Sequence, residues 1–315
     1  MDKKRVVVIF LDGVGLGSPN PEANPFMHVE MESMRRLLGI AQPSLSTMGT
    51  VTSQAAILGL DALLGVSGLP QSATGQTSIL TGRNAAAMLG EHSGPYPNQI
   101  LRDVLVRDNI FRSLLEVGQP VAYANAYPER FLDRVRRGRG RMSANTYTAF
   151  ASGLKLRGRD DLQQGRAISA LLSNDFWPES DVKLPSLTAH QAGQRLAALA
   201  AEHSLTFFEF WYSDLLGHRM YREQSLEILA KLDDFMWGVL ENLDLDQALF
   251  MVVSDHGNFE DWTTKKHTQN PALTILAGAA TGRLAPGLGD LTDIKPAILA
   301  YLSDKPLSGD MSDQS

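Results

Sequence analysis

The chain has 315 residues, 43% apolar and 20% charged, the profile of an ordinary globular protein with ample material for a sizeable core. Its net charge of −6 argues against a general nucleic-acid binder, which needs a basic surface to meet phosphates. There is no cysteine, so disulfides, thiolate metal sites and a cysteine nucleophile are excluded, and any metal must sit on His, Asp or Glu.

Residues 5–11 are β-branched or large apolar residues without polar alternation, as expected for a central strand covered on both faces. Basic residues precede this run, but it stops at Asp12-Gly13 and is too short for a signal-peptide core. No apolar stretch approaches the length of a membrane span. The expectation is a cytoplasmic protein that starts directly with its first strand. The strand ends in Asp12-Gly13-Val14-Gly15-Leu16-Gly17, which invites a dinucleotide-binding reading. Ser18-Pro19-Asn20-Pro21 follows where that motif needs a helix N-terminus to hold a pyrophosphate. The glycines are read instead as room for backbone to crowd close to Asp12, which points into a site.

Residues 22–64 are mixed, with a short helix around 29–38. Gly68-Leu69-Pro70 is a turn, and Ser72 lies where a helix can begin, with Gln76 and Leu80 continuing at helical spacing. The Ser72 hydroxyl has two readings. Serine is a favoured N-cap, and a helix N-terminus also lowers the cost of an alkoxide or a bound phosphate. Residues 99–117 read as an amphipathic helix interrupted near Asp108 and ending at Gly118, followed by a strand over Val121–Ala124. The segment 129–141 holds six arginines. They are either a bidentate grip for a phosphate-bearing substrate or a solvated loop. Residues 142–188 show no clean period and carry turn signals at Pro178 and Pro185, so 128–188 is taken as an excursion or reduced lid.

A helix at 189–203 and a strand at Leu205–Trp211 lead into Tyr212-Ser213-Asp214-Leu215-Leu216-Gly217-His218. Asp214 and His218, four apart on one helical turn past a strand tip, face the same way. They can share a cation or form an exposed pair. The helix of 222–241 carries Leu226, Leu229, Leu232, Phe235, Met236 and Val239 as a core stripe. The buried run Phe250 to Val253 then delivers Asp255 and His256 to its carboxyl end, with His267 shortly after. Strand ends of this kind are where α/β sheets bind ligands. Two imidazoles and a carboxylate there suit a first-row divalent metal, or the histidines merely cap neighbouring helices. A strand at Ala272–Ala277 and a final helix from Leu291-Thr292-Asp293-Ile294 to about Leu302 precede a polar tail, 303–315.

Strand tips thus offer Asp12, Asp214, His218, Asp255 and His256, with His267 on a loop and Ser72 at a helix start. Such a set fits two adjacent divalent cations, which clamp the attacking and leaving oxygens of an in-line phosphoryl transfer. The sequence resembles the alkaline-phosphatase superfamily, within it the branch of cofactor-independent phosphoglycerate mutases and phosphopentomutases. The resemblance rests on LDGVG at 11–15, SATGQTSILTGR at 72–83, DLLGH at 214–218, SDHGN at 254–258 and HTQNPA at 267–272, with LTDIKPAIL at 291–299 like the superfamily's closing strand and helix. It implies an α/β fold with a mostly parallel central sheet and helices on both faces; by the sequence boundaries above, the insertion is a small excursion at 128–188 instead of a large cap domain. The phosphoryl-transfer core would span 1–127 and 189–302.

The resemblance further implies one metal on Asp214, His218 and His267. A second metal would sit on Asp12, Asp255, His256 and the Ser72 hydroxyl, with Ser72 forming a phosphoserine. Thr74 is the alternative nucleophile, and Gly75 is expected to allow close approach of helix and substrate. Manganese, zinc or magnesium suit these ligands, with the mutase likeness leaning to manganese.

Two departures matter. Gln76 stands where the mutases usually have histidine. The large second domain that those mutases insert after the nucleophile helix, with its substrate-gripping arginines, is reduced here to about 60 residues by the sequence boundaries. His92, Arg130, Arg137 and Arg141 are candidate substrate contacts. The expected function is metal-dependent hydrolysis of a small phosphorylated substrate through phosphoserine, because a mutase must exclude water while its intermediate waits. A phosphomutase is the alternative, and a non-catalytic metal-binding protein on the same fold is the third reading.

Overall fold

The computed structural model describes residues 4–174, 177 and 184–303. The turn expected at Pro178 and the tail beyond Ser303 lie outside the described residues. Six strands form one sheet: β1 (Arg5–Leu11), β2 (Ala55–Leu60), β3 (Val121–Tyr123), β4 (Leu205–Phe210), β5 (Ala248–Ser254) and β6 (Ala272–Ala277), in the order β2-β6-β5-β1-β4-β3. β5, β1, β4 and β3 run parallel, while β6 is antiparallel to both β5 and β2.

The chain belongs in the interior at β1 because side chains alternate faces along a strand. Val7, Ile9 and Leu11 join one buried cluster, and Val6, Val8 and Phe10 the other. Both faces therefore need helices. In chain order the first are α1 (Glu32–Leu38), α2 (Ser72–Thr81), α3 (Ala85–Leu89), α4 (Gln99–Arg107) and α5 (Ile110–Leu115). Next come α6 (Glu129–Arg136), α7 (Ala144–Ala151), α8 (Arg159–Gln163) and α9 (Ala189–Ala200). The last are α10 (Tyr212–Arg219), α11 (Arg222–Leu240), α12 (Thr281–Leu284) and α13 (Ile294–Ser303). Helices α1, α9 and α11 supply residues to the first cluster; α2, α4, α5, α7 and α13 supply the second.

The break expected near Asp108 separates α4 from α5, each opened by an asparagine cap, Asn98 and Asn109. Strand β2 falls inside the stretch read as mixed. Its six residues, AAILGL, carry too little pattern to be distinguished from a buried turn. Within 128–188, α7 packs against α2 and α4, with Ala144 and Ala149 fully buried. Short parallel bridges, Asn125 to Ile168 and Ala126 to Arg157, run beyond the end of β3. Helix α6 and the turn after it instead form one wall of a cavity at the carboxyl end of the sheet.

Candidate metal centre

Parallel pairing of β5, β1 and β4 puts three strand ends side by side: Asp12 directly follows β1, Asp255-His256 directly follows β5, and Asp214 lies in the first turn of α10, four residues past β4. Leu11 lies opposite Ser254 on one side and Phe210 on the other, so Asp12 emerges between the Asp255-His256 loop and the start of α10. The Asp12 amide donates to the Phe210 carbonyl at 3.0 Å, continuing the ladder one residue. Asp12, Asp255 and His256 are buried. Gly13 adopts φ +68°, and a Cβ there would stand 2.6 Å from Asp214 Oδ1. The glycine is thus what lets the first loop pass beneath Asp214.

The structure gathers two clusters. In the first, Asp214 Oδ2 lies 3.3 Å from His218 Nε2, and Asp214 Oδ1 lies 3.5 Å from His267 Nε2. The two Nε2 atoms stand 3.1 Å apart. His218 Nδ1 faces the Lys265 carbonyl at 2.7 Å and His267 Nδ1 the Pro70 carbonyl at 2.6 Å. A carbonyl only accepts, so both rings carry hydrogen on Nδ1 and turn an Nε2 lone pair toward the other. Two lone pairs and a carboxylate converging on one point need a proton or a cation between them. Metal-binding histidines are usually oriented by backbone acceptors in this way.

In the second cluster His256 Nε2 is 3.0 Å from Ser72 Oγ, 3.4 Å from Asp12 Oδ1 and 3.7 Å from Asp255 Oδ2. Ser72 Oγ is 3.4 Å from Asp12 Oδ1. The His256 and His267 rings stack at 3.8 Å, placing the clusters side by side. Asp214 faces both: Asp214, His218 and His267 form one group able to hold a cation, and Asp12, Asp214 and His256 form another.

The electrostatics of the side chains agree. Burial, then the neighbouring Asp255 charge, push the Asp12 carboxyl up to about 7. Burial raises Asp255 as well. Burial opposes charge on His256, but Asp255 and Asp12 outweigh it and raise the imidazole to about 10. For Asp214 burial is again the largest influence and acts upward, yet hydrogen bonds with His218 and His267 hold it below the usual carboxylate range. His218 is raised in turn by Asp214. Carboxylates crowded in the dry end of a sheet call for compensating positive charge. Hard oxygen and imidazole donors fit first-row divalent metals or magnesium.

Ser72 is not an N-cap. Gln71 holds that position, and Ser72 is the first residue of α2, with its hydroxyl turned to Asp12 and His256. Gly75 brings α2 against the Asp255 backbone, since a Cβ there would meet the Asp255 carbonyl oxygen at 2.8 Å. Gln76, the departure from the mutase pattern, lies between two carboxylates: its Nε2 reaches Asp12 Oδ2 at 3.3 Å and Asp255 Oδ2 at 3.2 Å.

Three expected residues are elsewhere. Thr74 gives its hydroxyl to the Gln71 carbonyl at 3.1 Å, so it is held against its own helix end and away from the clusters. His92 bonds the Val66 carbonyl at 3.2 Å and lines a separate depression formed by 67–71 and 91–94. Arg137 follows the last residue of α6, and Gly138 at φ +67° turns the chain away, so Arg137 does not line the cavity. Arg130 and Arg141 do line it, together with Arg134, which the sequence reading passed over.

Two buried carboxylates were also missed. Glu260 accepts from the Gly15 and Asn258 amides, both at 2.8 Å, from Thr268 Oγ1 at 2.5 Å and from Asn270 Nδ2 at 3.0 Å. It therefore ties together the loops that carry Asp12, Asp255-His256 and His267. Glu209, a lone carboxylate within the apolar strand β4, reaches the cavity and is surrounded by Tyr123, Ser143, Asn145 and Thr146 donors. Burial raises it above the ordinary glutamate range. A single acid inside an otherwise apolar strand was the signal available for it.

A model of the metalloenzyme superfamily matches residues 4–306. The chain belongs to that superfamily. Two 2,3-bisphosphoglycerate-independent phosphoglycerate mutases are similar over part of their length. The one from Mycoplasmopsis synoviae is 26% identical over 130 residues, 39% of this chain and 25% of that protein. The one from Methylobacillus flagellatus is 24% identical over 130 residues, 38% of this chain and 25% of that protein. The matched region thus spans about a quarter of these relatives.

Among solved structures, a protein from Pyrococcus horikoshii superposes with TM-score 0.57 at 15% identity, covering 96% of this chain and 98% of that one. A cold-active alkaline phosphatase from Shewanella gives 0.53 at 12%, covering 94% and 99%. The lipoteichoic acid synthase LtaP from Listeria monocytogenes gives 0.51 at 12%, covering 98% and 74%. At these identities the likeness is one of fold, and it agrees with the alkaline-phosphatase-like core expected from the motifs. No helix of the described residues is long and apolar enough to cross a membrane.

Proposed function

We propose that the chain is a two-metal phosphoesterase that hydrolyses small phosphomonoesters through a phosphoserine at Ser72. The observation that carries this reading is the position of Ser72 Oγ. It sits at the start of α2, on the cavity floor, 3.0 Å from His256 Nε2 and 3.4 Å from Asp12 Oδ1. Asp214, His218 and His267 would hold one divalent ion; Asp12, Asp255, His256 and the Ser72 hydroxyl would hold the other. When bound, such ions lower the cost of a serine alkoxide near neutral pH and offset charge on the transferring group.

The chain's own residues supply the rest. Ser72 Oγ forms a bond to phosphorus as the ester P–O bond breaks, its proton passing to solvent and the departing oxygen taking one up to leave as an alcohol. Water then adds to phosphorus, the Ser72 P–O bond breaks, Oγ regains a proton and inorganic phosphate departs. Arg130, Arg134 and Arg141, exposed along the cavity, would meet anionic groups of the substrate. Gln76 Nε2 holds Asp12 and Asp255 at a common distance, and Glu260 fixes the loops around them.

A phosphomutase is the second reading, favoured by the phosphoglycerate mutases among the similar proteins. The open cavity weighs the other way, since water reaches Ser72 as readily as a returning acceptor does. Metal-loaded protein incubated with p-nitrophenyl phosphate tests the phosphoesterase reading, and Ser72→Ala is expected to abolish both turnover and the phosphorylated protein. Unchanged turnover in that variant would remove Ser72 as nucleophile. With 3-phosphoglycerate, isomer exchange without free phosphate would establish the mutase instead. No turnover of any ester at full metal occupancy would leave a metal-binding protein without catalysis.

A further inference from the structure

Phosphoryl transfer at Ser72 uses only the floor of the cavity. The whole space is about 470 Å³, the size of a site for a substantial small molecule and far more than a three-carbon acid fills. Arg130 and Arg134 stand one turn apart on α6, whose Leu132 and Val135 are buried on the other side, and Arg141 follows the next turn. None of these three arginines makes a side-chain hydrogen bond or ion pair among the described residues. Arg136 on the same helix, by contrast, is paired with Glu129 and Asp133. Much of the remaining wall is apolar, with aromatic side chains beside Met142, Leu215 and two prolines. Tyr127 stacks on Phe131 with centroids 4.6 Å apart and planes 21° apart, and Tyr96 and Trp211 keep 43% and 41% of their surface exposed.

We propose that the natural substrate is a phosphomonoester whose leaving group is a flat aromatic system bearing a second anionic group. The proposal deepens, and rests on, the phosphoesterase reading above. Unpaired guanidinium groups over a cavity bind planar or tetrahedral oxyanions through paired N–H donors. Exposed tyrosine and tryptophan faces favour a flat ring over an aliphatic acid. A carboxylate and a second phosphate share this chemistry, and the test separates them.

Metal-loaded enzyme is assayed with phenyl phosphate, 4-(carboxymethyl)phenyl phosphate, 4-(phosphonomethyl)phenyl phosphate and 3-phosphoglycerate. The methylene insulates the added anion, so the three phenols leave with similar acidity. At least one anion-bearing aryl ester is expected to exceed phenyl phosphate in kcat/KM by about tenfold or more, the strength of a charge-assisted hydrogen bond, and to exceed 3-phosphoglycerate. The better of the two identifies the anion. In the double variant Arg130→Gln, Arg134→Gln the ratio to phenyl phosphate should fall toward one, and in Trp211→Ala all aryl esters should lose ground to 3-phosphoglycerate. Equal use of all three aryl esters, an unchanged ratio in the double variant, or preference for 3-phosphoglycerate would each overturn the proposal. Turnover of none of the four would withdraw the phosphoesterase reading itself, and the substrate class with it.

Discussion

Four donors converge on the Glu260 carboxylate from segments 245, 8 and 10 residues away and from its own loop, and it has no ion pair among the described residues. Its bulk explains glycines that the sequence shows only as a motif. A Cβ at Gly15 would meet Glu260 Oε1 at 2.7 Å, one at Gly17 the Glu260 carbonyl at 2.7 Å, and one at Gly257 both Glu260 and Thr268. Reading the glycines as room beside Asp12 was thus half the story. Gly13 makes way for Asp214, Gly15 and Gly257 for the Glu260 carboxylate, and Gly17 for the Glu260 backbone. Nothing in the sequence around Glu260 marks it, because its partners become neighbours only once β1, β5 and β6 pair. Glu260→Gln replaces one carboxylate oxygen by an amide NH₂ where two of those four donors point. The variant should lose about 1–3 kcal/mol of stability in urea titration. Because His267 adjoins Thr268, manganese affinity measured by calorimetry should also fall about tenfold or more. Affinity equal to wild type would show that Glu260 holds the loops without shaping the metal site.

At the level of elements, the candidate ligands Asp12, Asp255 and His256 were readable because they directly follow a strand, and Asp214 and His218 because they stand four apart on one helix. His267, on a loop, was legible only through the motif around it. What escaped notice depended on how elements meet. Arg130, Arg134 and Arg137 would form one stripe if α6 continued, but the helix stops at Arg136, so the third arginine leaves the cavity. The direction of β6 and the existence of β2 follow from pairing across the sheet, not from composition.

Helices α9 and α11 supply a case where the residues called core by pattern conceal the deciding contact. Gly193 lies against the Phe235 carbonyl and the Val239 amide, and Gly238 against the His190 backbone, so two backbones touch where side chains would hold them apart. Gly238→Ala should therefore cost about 1–3 kcal/mol through forced separation of the pair, read as a shift of the urea midpoint. Asp233 of α11 also accepts from the Glu32 and Ser33 amides at 2.8 and 3.0 Å, capping α1, whose own N-cap Met31 offers no side-chain acceptor. Asp233→Ala should remove about 1 kcal/mol with no change in metal content. A cost indistinguishable from zero would mean water caps α1 equally well.

For the whole molecule, the site is assembled from residues 12 to 267 and exists only in the folded chain, so bound metal stabilises the native state by mass action. The side chains alone pull the other way as pH rises. Asp12 has its folded pKa at about 7 against 3.8 ordinarily. Between those values the native state holds a proton that the unfolded chain does not, and the stability this contributes is lost as pH rises through about 7. His256, at about 10 against 6.5, acts in the same direction over a higher window: its contribution is complete below 6.5 and lost as pH rises through about 10.

Metal would reverse the trend because it would replace the protons of Asp12 and of His256, which is held at about 10. Each displaced proton weakens binding about tenfold per pH unit below the pKa of its group, so both count below about 7 and His256 alone above it. At a fixed manganese concentration, the gain in Tm over a chelator-treated sample should be small near about pH 5 and large near about pH 8, while the treated sample loses stability over the same range. Differential scanning calorimetry at both pH values reads both slopes at once. A metal-dependent gain of equal size at the two pH values would mean that neither Asp12 nor His256 exchanges its proton for metal, and their pairing with the second ion would have to be given up.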